Sequence, residues 1–411
     1  MKKVLIIGAV CVEPNSSAAG SRMLQLIELF LKDEYAVTFA TTTHKTANAV
    51  DLERLGVAEV TIELNESSFD DFVKKLCPTI VVFDRFMMEE QFGWRVADNC
   101  PTAIRILDTE DLHSLRNVRQ EAIKKSQNFL ITDLLNSDIA KREIAAIYRC
   151  DVSLIISTFE MELLQRVFKI DSILLCHLPF LLEAIDSETQ ESWKSFDERN
   201  HFVTIGNFLH APNVDAVLQL KKHIWTAIRK QLPDAELHVY GAYPTQQILQ
   251  LHNKKEGFII KGFTENANEV VSNAKVVLAP IRFGAGIKGK LTEAMLNGTP
   301  SVTTTIGAEG MHAKLPWNGF VIDNYDVFTE NAIKLYTDSA LWKESQKKGV
   351  EIINQLYNKE KISPSFLSLL EEVKTNVKQH RSSNFIGSLL QYQTLRSTKY
   401  MSKWIEEKNK K

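Results

Sequence analysis

The run Val276–Gly298 reads VVLAPIRFGAGIKGKLTEAMLNG, and its character changes twice along its length. The residues before Pro280 are continuously apolar, which is typical of a strand buried on both faces of a sheet. A glycine-rich loop, Ile281–Lys288, comes next. The amphipathic stretch after it ends at Gly298, and glycine commonly closes a helix. The run therefore predicts a strand, a loop and a helix in direct succession.

This strand-loop-helix unit has the features of an anion site. Glycines let backbone N–H groups approach an anion closely, and a helix start adds unpaired N–H groups and a positive dipole end. The unit also carries three glycines and three basic residues: Gly284, Gly286, Gly289, Arg282, Lys288 and Lys290. We favour a diphosphate site over the simpler interpretation, in which the glycines make a tight turn and the lysines lie in solvent.

Two other nucleotide motifs fit less well. Gly284, Gly289 and Lys290 match the G-x-x-x-x-G-K spacing of a P-loop, but the next residue is Leu291. A P-loop needs Ser or Thr there to hold Mg²⁺. A dinucleotide site at the N-terminus is also disfavoured, because Gly8 stands alone without the G-x-G-x-x-G spacing.

Composition limits the class of protein. The chain has 411 residues and a formal net charge of −2, so bulk attraction to nucleic acid is not expected. Its five cysteines are scattered and form no CxxC pair, which favours a reducing compartment and argues against a zinc site. Val4–Val12 is β-branched and lacks a cleavage signature, so we interpret it as a first strand and not as a signal peptide. We expect a cytoplasmic protein, with peripheral membrane contact left open.

Apolar runs alternate with amphipathic stretches in two successive blocks. Such alternation predicts an α/β fold with two Rossmann-like, doubly wound parallel-sheet domains facing a cleft. After Asp326 the pattern is almost entirely helical. The predicted divisions are an N-terminal domain (1–180), a polar linker (181–200), a C-terminal domain (201–380) and a C-terminal helix (381–411) that packs back on the first domain.

Pro280–Met311 reads PIRFGAGIKGKLTEAMLNGTPSVTTTIGAEGM. It resembles the donor-binding segment of retaining glycosyltransferases of the GT-B fold, family four (glycosyl transferases group 1). Thr204–Ala216 and Leu232–Gly241 resemble the opening elements of that family's second domain. The likeness is detailed over residues 201–325, and the first domain matches in architecture.

The resemblance implies a phosphate and ribose site for a nucleotide-diphosphate sugar. Backbone amides around Lys290, Leu291 and Thr292 would hold the pyrophosphate, and Glu293 would accept hydrogen bonds from the ribose. From the residues alone, Glu293 is equally a favourable acid in a first helical turn.

The sequence departs from the family pattern at two places. Ala285 stands eight residues before Glu293, where the family often has a first glutamate. The loop Asn207–Asn213 lacks the arginine and lysine that many members carry, so Arg282, Lys288 or Lys290 must supply the phosphate charge.

Two loops of the first domain are candidates for the opposite side of the cleft. Gly20 and Ser21, beside Arg22, resemble the family's glycine-bearing loop near the donor phosphate; a plain serine N-cap is the alternative. His113 follows a strand, where similar enzymes place a histidine near the sugar. We assign catalytic roles to His113, Asp111 and Arg116, against an alternative in which Asp111 only caps the next helix and Arg116 lies in solvent.

Other polar residues near these loops have simpler explanations. Ser157 and Glu160 resemble a family feature at the domain junction, and a capping box explains them equally well. The carboxylates of residues 108–111 suit a divalent metal, but we predict none, because the basic loop meets the phosphate charge.

The sequence thus predicts transfer of a sugar from a nucleotide-diphosphate sugar to an acceptor hydroxyl, with retention. The nucleotide sugar is a co-substrate, and no other cofactor is expected. The acceptor would be a carbohydrate, a lipid-linked sugar or a protein. A non-catalytic nucleotide-sugar sensor or scaffold and a GT-B epimerase remain alternatives.

Overall fold

The computed structural model describes residues 2–409, apart from the side chains of residues 394–396. Two parallel sheets organise these residues. The first sheet is seven-stranded with the order β3-β2-β1-β4-β5-β6-β7, and the second is six-stranded with the order β10-β9-β8-β11-β12-β13. The strand order reverses between β1 and β4 in the first sheet and between β8 and β11 in the second. Each reversal creates a crevice at the carboxyl ends of the strands.

The strands of the first sheet are β1 (Lys3–Gly8), β2 (Ala36–Thr41), β3 (Ala58–Thr61), β4 (Ile80–Asp84), β5 (Ile104–Asp108), β6 (Val152–Ile155) and β7 (Leu175–His177). Those of the second are β8 (Asn200–Ile205), β9 (Leu237–Tyr240), β10 (Phe258–Gly262), β11 (Ala274–Ala279), β12 (Ser301–Thr303) and β13 (Gly319–Val321). β1 begins at Lys3, so the N-terminal apolar run forms a strand, as predicted.

Continuously apolar strands serve both faces of each sheet. In β4, Val81 and Phe83 point into one buried cluster, whereas Ile80 and Val82 point into the other. Because successive side chains alternate between faces, an unbroken apolar run can fill two cores at once. The same arrangement recurs in the second domain.

Helices cover both faces of each sheet. Those of the first domain are α1 (Ala18–Lys32), α2 (Ser68–Leu76), α3 (Arg85–Asn99), α4 (His113–Lys124), α5 (Ile131–Asn136), α6 (Asp138–Arg149) and α7 (Thr158–Arg166). The connection contains α8 (Ser187–Ser192). The later helices are α9 (Ala211–Gln219), α10 (Trp225–Gln231), α11 (Gln246–Leu249), α12 (Ala267–Asn273), α13 (Gly289–Leu296), α14 (Thr305–Ala308), α15 (Tyr325–Thr337), α16 (Ser339–Leu356), α17 (Lys359–Thr375), α18 (Val377–Ser383) and α19 (Phe385–Asn409).

The chain returns to the first domain before residue 380, which was the predicted end of the second domain. α17 already contributes Phe366, Leu370 and Val373 to a core cluster of the first domain. α19 then packs on α3 and α6. The helical pattern after Asp326 predicted these helices but contained no sign of the crossover, because an amphipathic helix does not reveal which core its apolar side meets.

The predicted fold class is confirmed: two Rossmann-like parallel-sheet domains are followed by C-terminal helices. Across residues 2–409, no helix is both long enough and apolar enough to cross a membrane.

Candidate active site

The glycine-rich loop connects β11 to α13 at the carboxyl edge of the second sheet. Lys288 is the N-cap residue of α13 and has an extended backbone, and its side chain makes no capping hydrogen bond. The Leu291 N–H donates to the Lys288 carbonyl at 2.8 Å, and the Thr292 hydroxyl donates to the Gly289 carbonyl at 2.8 Å. The expectation that the Leu291 amide points at a ligand is therefore wrong, because the first helical turn already uses it.

The ammonium groups of Lys288 and Lys290 are poorly solvated. Burial lowers the pKa of each lysine to about 8. The Lys288 ammonium donates to the Gly286 carbonyl at 2.9 Å, and the Lys290 ammonium donates to the Asn213 side-chain oxygen at 2.8 Å. Neither lysine forms an ion pair within residues 2–409. Both charges can therefore meet an anion, and the low local dielectric strengthens that attraction.

Arg282 behaves differently from the two lysines. Its guanidinium forms a two-pronged ion pair with Asp215, with Nε 2.8 Å from a carboxylate oxygen. Asp215 offsets the charge of Arg282, but the pair does not use the Arg282 Nη1, so a phosphate contact by Arg282 stays a prediction.

Glu293 lies one turn into α13. Its side chain is half-buried. Desolvation raises its pKa, and the Lys290 charge partly opposes that shift. A carboxylate in this position remains able to accept hydrogen bonds from hydroxyl groups.

The first half of the glycine-rich loop contacts the other domain. The Gly284 carbonyl accepts a hydrogen bond from Arg119 at 2.9 Å, and the Gly286 N–H donates to Glu160 at 2.8 Å. Gly286 has φ +62°, and a Cβ built on it would lie 2.8 Å from the Asp111 Cβ. Ala285 packs against the core of the first domain. Gly286 therefore serves close contact between the domains, whereas Gly284 contacts the first domain only through its carbonyl, since a Cβ there would have no atom of that domain within 4 Å.

Glu160 joins the two sides of the cleft. One carboxylate oxygen accepts both the Gly286 N–H and the Leu112 N–H, at 2.8 and 2.9 Å. The side chain is fully buried, and burial raises its pKa to about 8. The Ser157 side chain makes no capping hydrogen bond at the start of α7. The capping-box interpretation is therefore wrong, and the junction role implied by the resemblance fits the contacts.

Arg119 and Glu309 form a second link between the domains. Both guanidinium NH groups of Arg119 reach the two Glu309 oxygens, at 2.7 and 2.8 Å. The Arg119 side chain is 7% exposed and that of Glu309 is 13% exposed. No local pattern in the sequence marks these two residues, which are 190 positions apart, as partners.

Asp111, His113 and Arg116 lie together beside Gly286. Arg116 pairs with Asp111 at 2.7 and 3.2 Å, and the His113 Nε2 lies 3.4 Å from Asp111. Arg116 and His113 hold the Asp111 pKa well below its usual range. Desolvation, with the nearby Arg116 charge, lowers the His113 pKa to about 4, so the imidazole is neutral at pH 7.

The N-terminus of helix α4, at His113, is capped by an acidic side chain of α6. Glu143 accepts the N–H groups of His113 and Ser114 at 2.9 and 3.1 Å. The alternative in which Asp111 caps this helix is therefore wrong. Because Glu143 performs the capping, the Asp111 carboxylate is free to orient Arg116 and His113.

His210 completes this group from the second domain. It lies close enough to interact electrostatically with Arg116, Asp111, Lys290 and His113, and desolvation lowers its pKa to about 4. The only sequence signal for it is its position in the loop after β8, at the carboxyl end of a strand.

Gly20 and Ser21 make local contacts. The Gly20 N–H donates to the Ser17 hydroxyl at 3.0 Å, and the Ser21 hydroxyl donates to the Pro14 carbonyl at 2.9 Å. These contacts fit the N-cap alternative, with Ser17 as the cap residue. Next to them, Arg22 is buried against Asp108, 2.9 Å away.

A basic helix start thus faces a neutral histidine and an acid–arginine pair across a domain junction. Residues 199–338 match the family model described as glycosyl transferases group 1. The match covers the domain that carries β8 to β13, including the glycine-rich loop and α13.

Several solved structures share this two-domain architecture over about 90% of the chain. A variant of S. aureus TarM, in complex with fondaparinux, alpha-GlcNAc-glycerol and UDP, has 12% identity and a TM-score of 0.68, covering 90% of this chain and 99% of its own. Pneumococcal O-GlcNAc transferase GtfA, with UDP and GlcNAc, has 12% identity and a TM-score of 0.64 over 90% and 99%. Sucrose-phosphate synthase from Thermosynechococcus elongatus has 15% identity and a TM-score of 0.63 over 91% and 99%.

At these identities the likeness establishes the fold, which is GT-B. A search of curated proteins found no match.

Proposed function

We propose that this chain is a glycosyltransferase that moves a sugar from a nucleotide-diphosphate sugar to an acceptor hydroxyl. The observation that carries the proposal is the pair of desolvated lysines, Lys288 and Lys290, at the start of α13. They face the group of Asp111, His113 and Arg116 across the cleft. The family match over residues 199–338 and the complexes with UDP named for TarM and GtfA support the same conclusion.

The leaving diphosphate would bind at the start of α13. Lys288, Lys290 and the helix dipole would stabilise the charge that develops on the leaving oxygen. Glu293 would accept hydrogen bonds from the ribose hydroxyls. A diphosphate would also raise the pKa of both lysines, because an adjacent anion opposes the desolvation that lowers it.

The first-domain group would hold the sugar. Neutral His113 can donate or accept one hydrogen bond to a sugar hydroxyl, and the Asp111–Arg116 pair fixes its position. We propose retention of the anomeric configuration. Asp111, the carboxylate in this group, is bound to Arg116 and poorly suited to act as a nucleophile. Same-face attack assisted by the leaving phosphate is therefore favoured over double displacement.

We infer that the enzyme is a hexosyltransferase-like member of EC 2.4 that acts in polysaccharide or glycoconjugate synthesis in the cytoplasm. No cofactor besides the nucleotide sugar is proposed. The acceptor would be a carbohydrate, lipid-linked sugar or protein that binds mainly to the first domain.

A panel of UDP-, GDP- and ADP-sugars in a thermal-shift assay tests the donor class, because a ligand that binds the native state raises the melting temperature. NMR of the product formed from the best donor then reports the anomeric configuration. The proposal predicts a clear shift with one nucleotide, slow donor hydrolysis without acceptor, and a retained anomer. An inverted product would contradict retention, and no shift with any nucleotide sugar would contradict the site.

A nucleotide-sugar sensor or scaffold is the second candidate, and Ala285 favours it. The position where the family often has a glutamate packs against the first-domain core and offers no carboxylate to a sugar. Binding without any turnover would support this candidate. Conversion of the donor to a product of equal mass would instead indicate an epimerase.

A further inference from the structure

Helix α19 turns its apolar side to solvent. The exposed fraction is 74% for Phe385, 66% for Tyr400 and 59% for Trp404. Toward the first domain the helix presents Ser402, which is 5% exposed and accepts a hydrogen bond from Arg95, and Gly387, which lies against the Tyr148 carbonyl, beside the partly buried Leu390 and Ile405. Much of its large apolar surface therefore faces solvent, whereas the apolar face of a surface helix usually meets the core.

The exposed apolar residues share one side of the helix. Seven large side chains between 47% and 74% exposed belong to it: Phe385, Ile386, Leu389, Tyr392, Tyr400, Met401 and Trp404. At 3.6 residues per turn, most of these positions fall on a common stripe of roughly 30 Å, which is interrupted between Tyr392 and Tyr400. Isolated exposed apolar residues are ordinary, but two such groups on one side of a single helix indicate a binding surface.

The same segment is strongly basic. Residues 385–411 contain six Lys or Arg and two Glu, a formal charge of +4 in a chain whose total is −2. Lys403 and Lys408 are exposed beside the aromatic stripe, whereas Lys399 pairs with Asp98 on α3. A helix surface that carries both lysines and aromatic side chains is complementary to a binding partner that offers both negative charge and an apolar region.

We propose that α19 lies flat on a lipid bilayer that contains anionic phospholipid. Its aromatic side chains would enter the headgroup region, and Lys403 and Lys408 would meet the headgroup charge. A second copy of the chain fits less well, because a two-fold contact through α19 would bring the two basic segments together. The proposal concerns a surface outside the cleft and does not depend on the proposed activity.

Vesicle co-sedimentation of the full chain tests the proposal. We expect binding to vesicles of phosphatidylcholine with phosphatidylglycerol, little binding to phosphatidylcholine alone, and weaker binding at high salt. Tyr400→Ser with Trp404→Ser should reduce partitioning by roughly tenfold or more, because two aromatic side chains no longer enter the lipid. Lys403→Glu with Lys408→Glu should abolish the preference for anionic lipid.

The matched control is Leu249→Ser with Val327→Ser. These residues are 41% and 40% exposed on the second domain, so the control removes exposed apolar groups away from α19. It should bind vesicles as the unmodified chain does. Absence of binding to anionic vesicles, or equal binding by the α19 aromatic variant, would overturn the proposal. A dimer in light scattering that the α19 variant disrupts, without vesicle binding, would overturn it in favour of a second copy.

Discussion

The two halves of the segment Gly284–Glu293 have different roles, although each contains glycine. Gly284–Gly286 contacts the first domain through Arg119, Glu160 and Asp111. Lys288–Glu293 also approaches the first domain at Gly289, where a Cβ would lie 2.7 Å from the Ala18 Cβ, but it keeps two lysines and one carboxylate that form no ion pair within residues 2–409. The difference teaches that a glycine in such a loop marks a close approach of backbone, and its partner can be a ligand or another domain.

The second half should control affinity for the sugar donor. Lys290→Ala and Glu293→Ala should each raise the Kd well beyond tenfold, on the order of a hundredfold or about 2.7 kcal/mol, since each removes a group proposed to touch phosphate or ribose. Titration calorimetry with the best nucleotide sugar measures the change. Lys254→Ala, an exposed lysine of the same domain, is the control. Unchanged affinity in a folded Lys290→Ala protein would disprove the assignment.

The first half should control the fit between the domains. Gly286→Ala adds a Cβ 2.8 Å from the Asp111 Cβ at a φ of +62°, and we expect a loss of about 2 kcal/mol in the free energy of unfolding. Gly262→Ala is the control, because φ there is +79° with no atom within 4 Å. It should lose about 1 kcal/mol from backbone strain alone. Equal losses in urea denaturation would mean that the domain contact at Gly286 is not tight.

The Arg119–Glu309 ion pair should contribute more to the free energy of unfolding than an exposed ion pair does. A double-mutant cycle with Arg119→Ala and Glu309→Ala should give a coupling of about 1.5 kcal/mol, because both side chains are largely buried. The control pair is Arg142–Glu90, whose arginine side chain is 53% exposed, and its coupling should be below about 0.5 kcal/mol. A coupling at Arg119–Glu309 no larger than that of the control would show that the junction does not depend on this pair.

Glu160 should make the stability of the junction depend on pH. Its pKa is about 8 in the folded chain, and the unfolded value is near 4.5, so the folded state holds an extra proton between these two values. The resulting stabilisation is complete below the unfolded pKa and is lost as pH rises through 8. From pH 6 to 8 the free energy of unfolding should fall by about 2 kcal/mol relative to that of Glu160→Gln. Parallel pH profiles of the two proteins in urea denaturation would contradict the assignment.

The fold was predictable because its signals are local. Continuously apolar runs predict strands whose side chains pack on both faces of a sheet, and Gly298 marks the end of α13. The lysines next to that helix start also stand out in the sequence. Ala285 was visible as a departure, but its packing against the first domain was not.

The domain junction was not predictable from one sequence. Glu160 and Gly286 are 126 positions apart, and Arg119 and Glu309 are 190 apart. Only the docking of two completed sheets brings such residues together. For the same reason the Arg282–Asp215 pair was not predictable: Arg282 lies in the glycine-rich loop and Asp215 on α9, and a sequence shows the charge of an arginine without showing what offsets it.

Amide hydrogen exchange at Gly286 and Lys290, measured with and without the nucleotide sugar that gives the largest thermal shift, tests the division of the loop most directly. The account predicts that the Gly286 amide, bonded to Glu160, is protected before any ligand is added. The Lys290 amide should gain protection only when the ligand binds. A Gly286 amide that exchanges freely until the ligand binds would contradict the account, because both halves of the loop would then belong to the ligand.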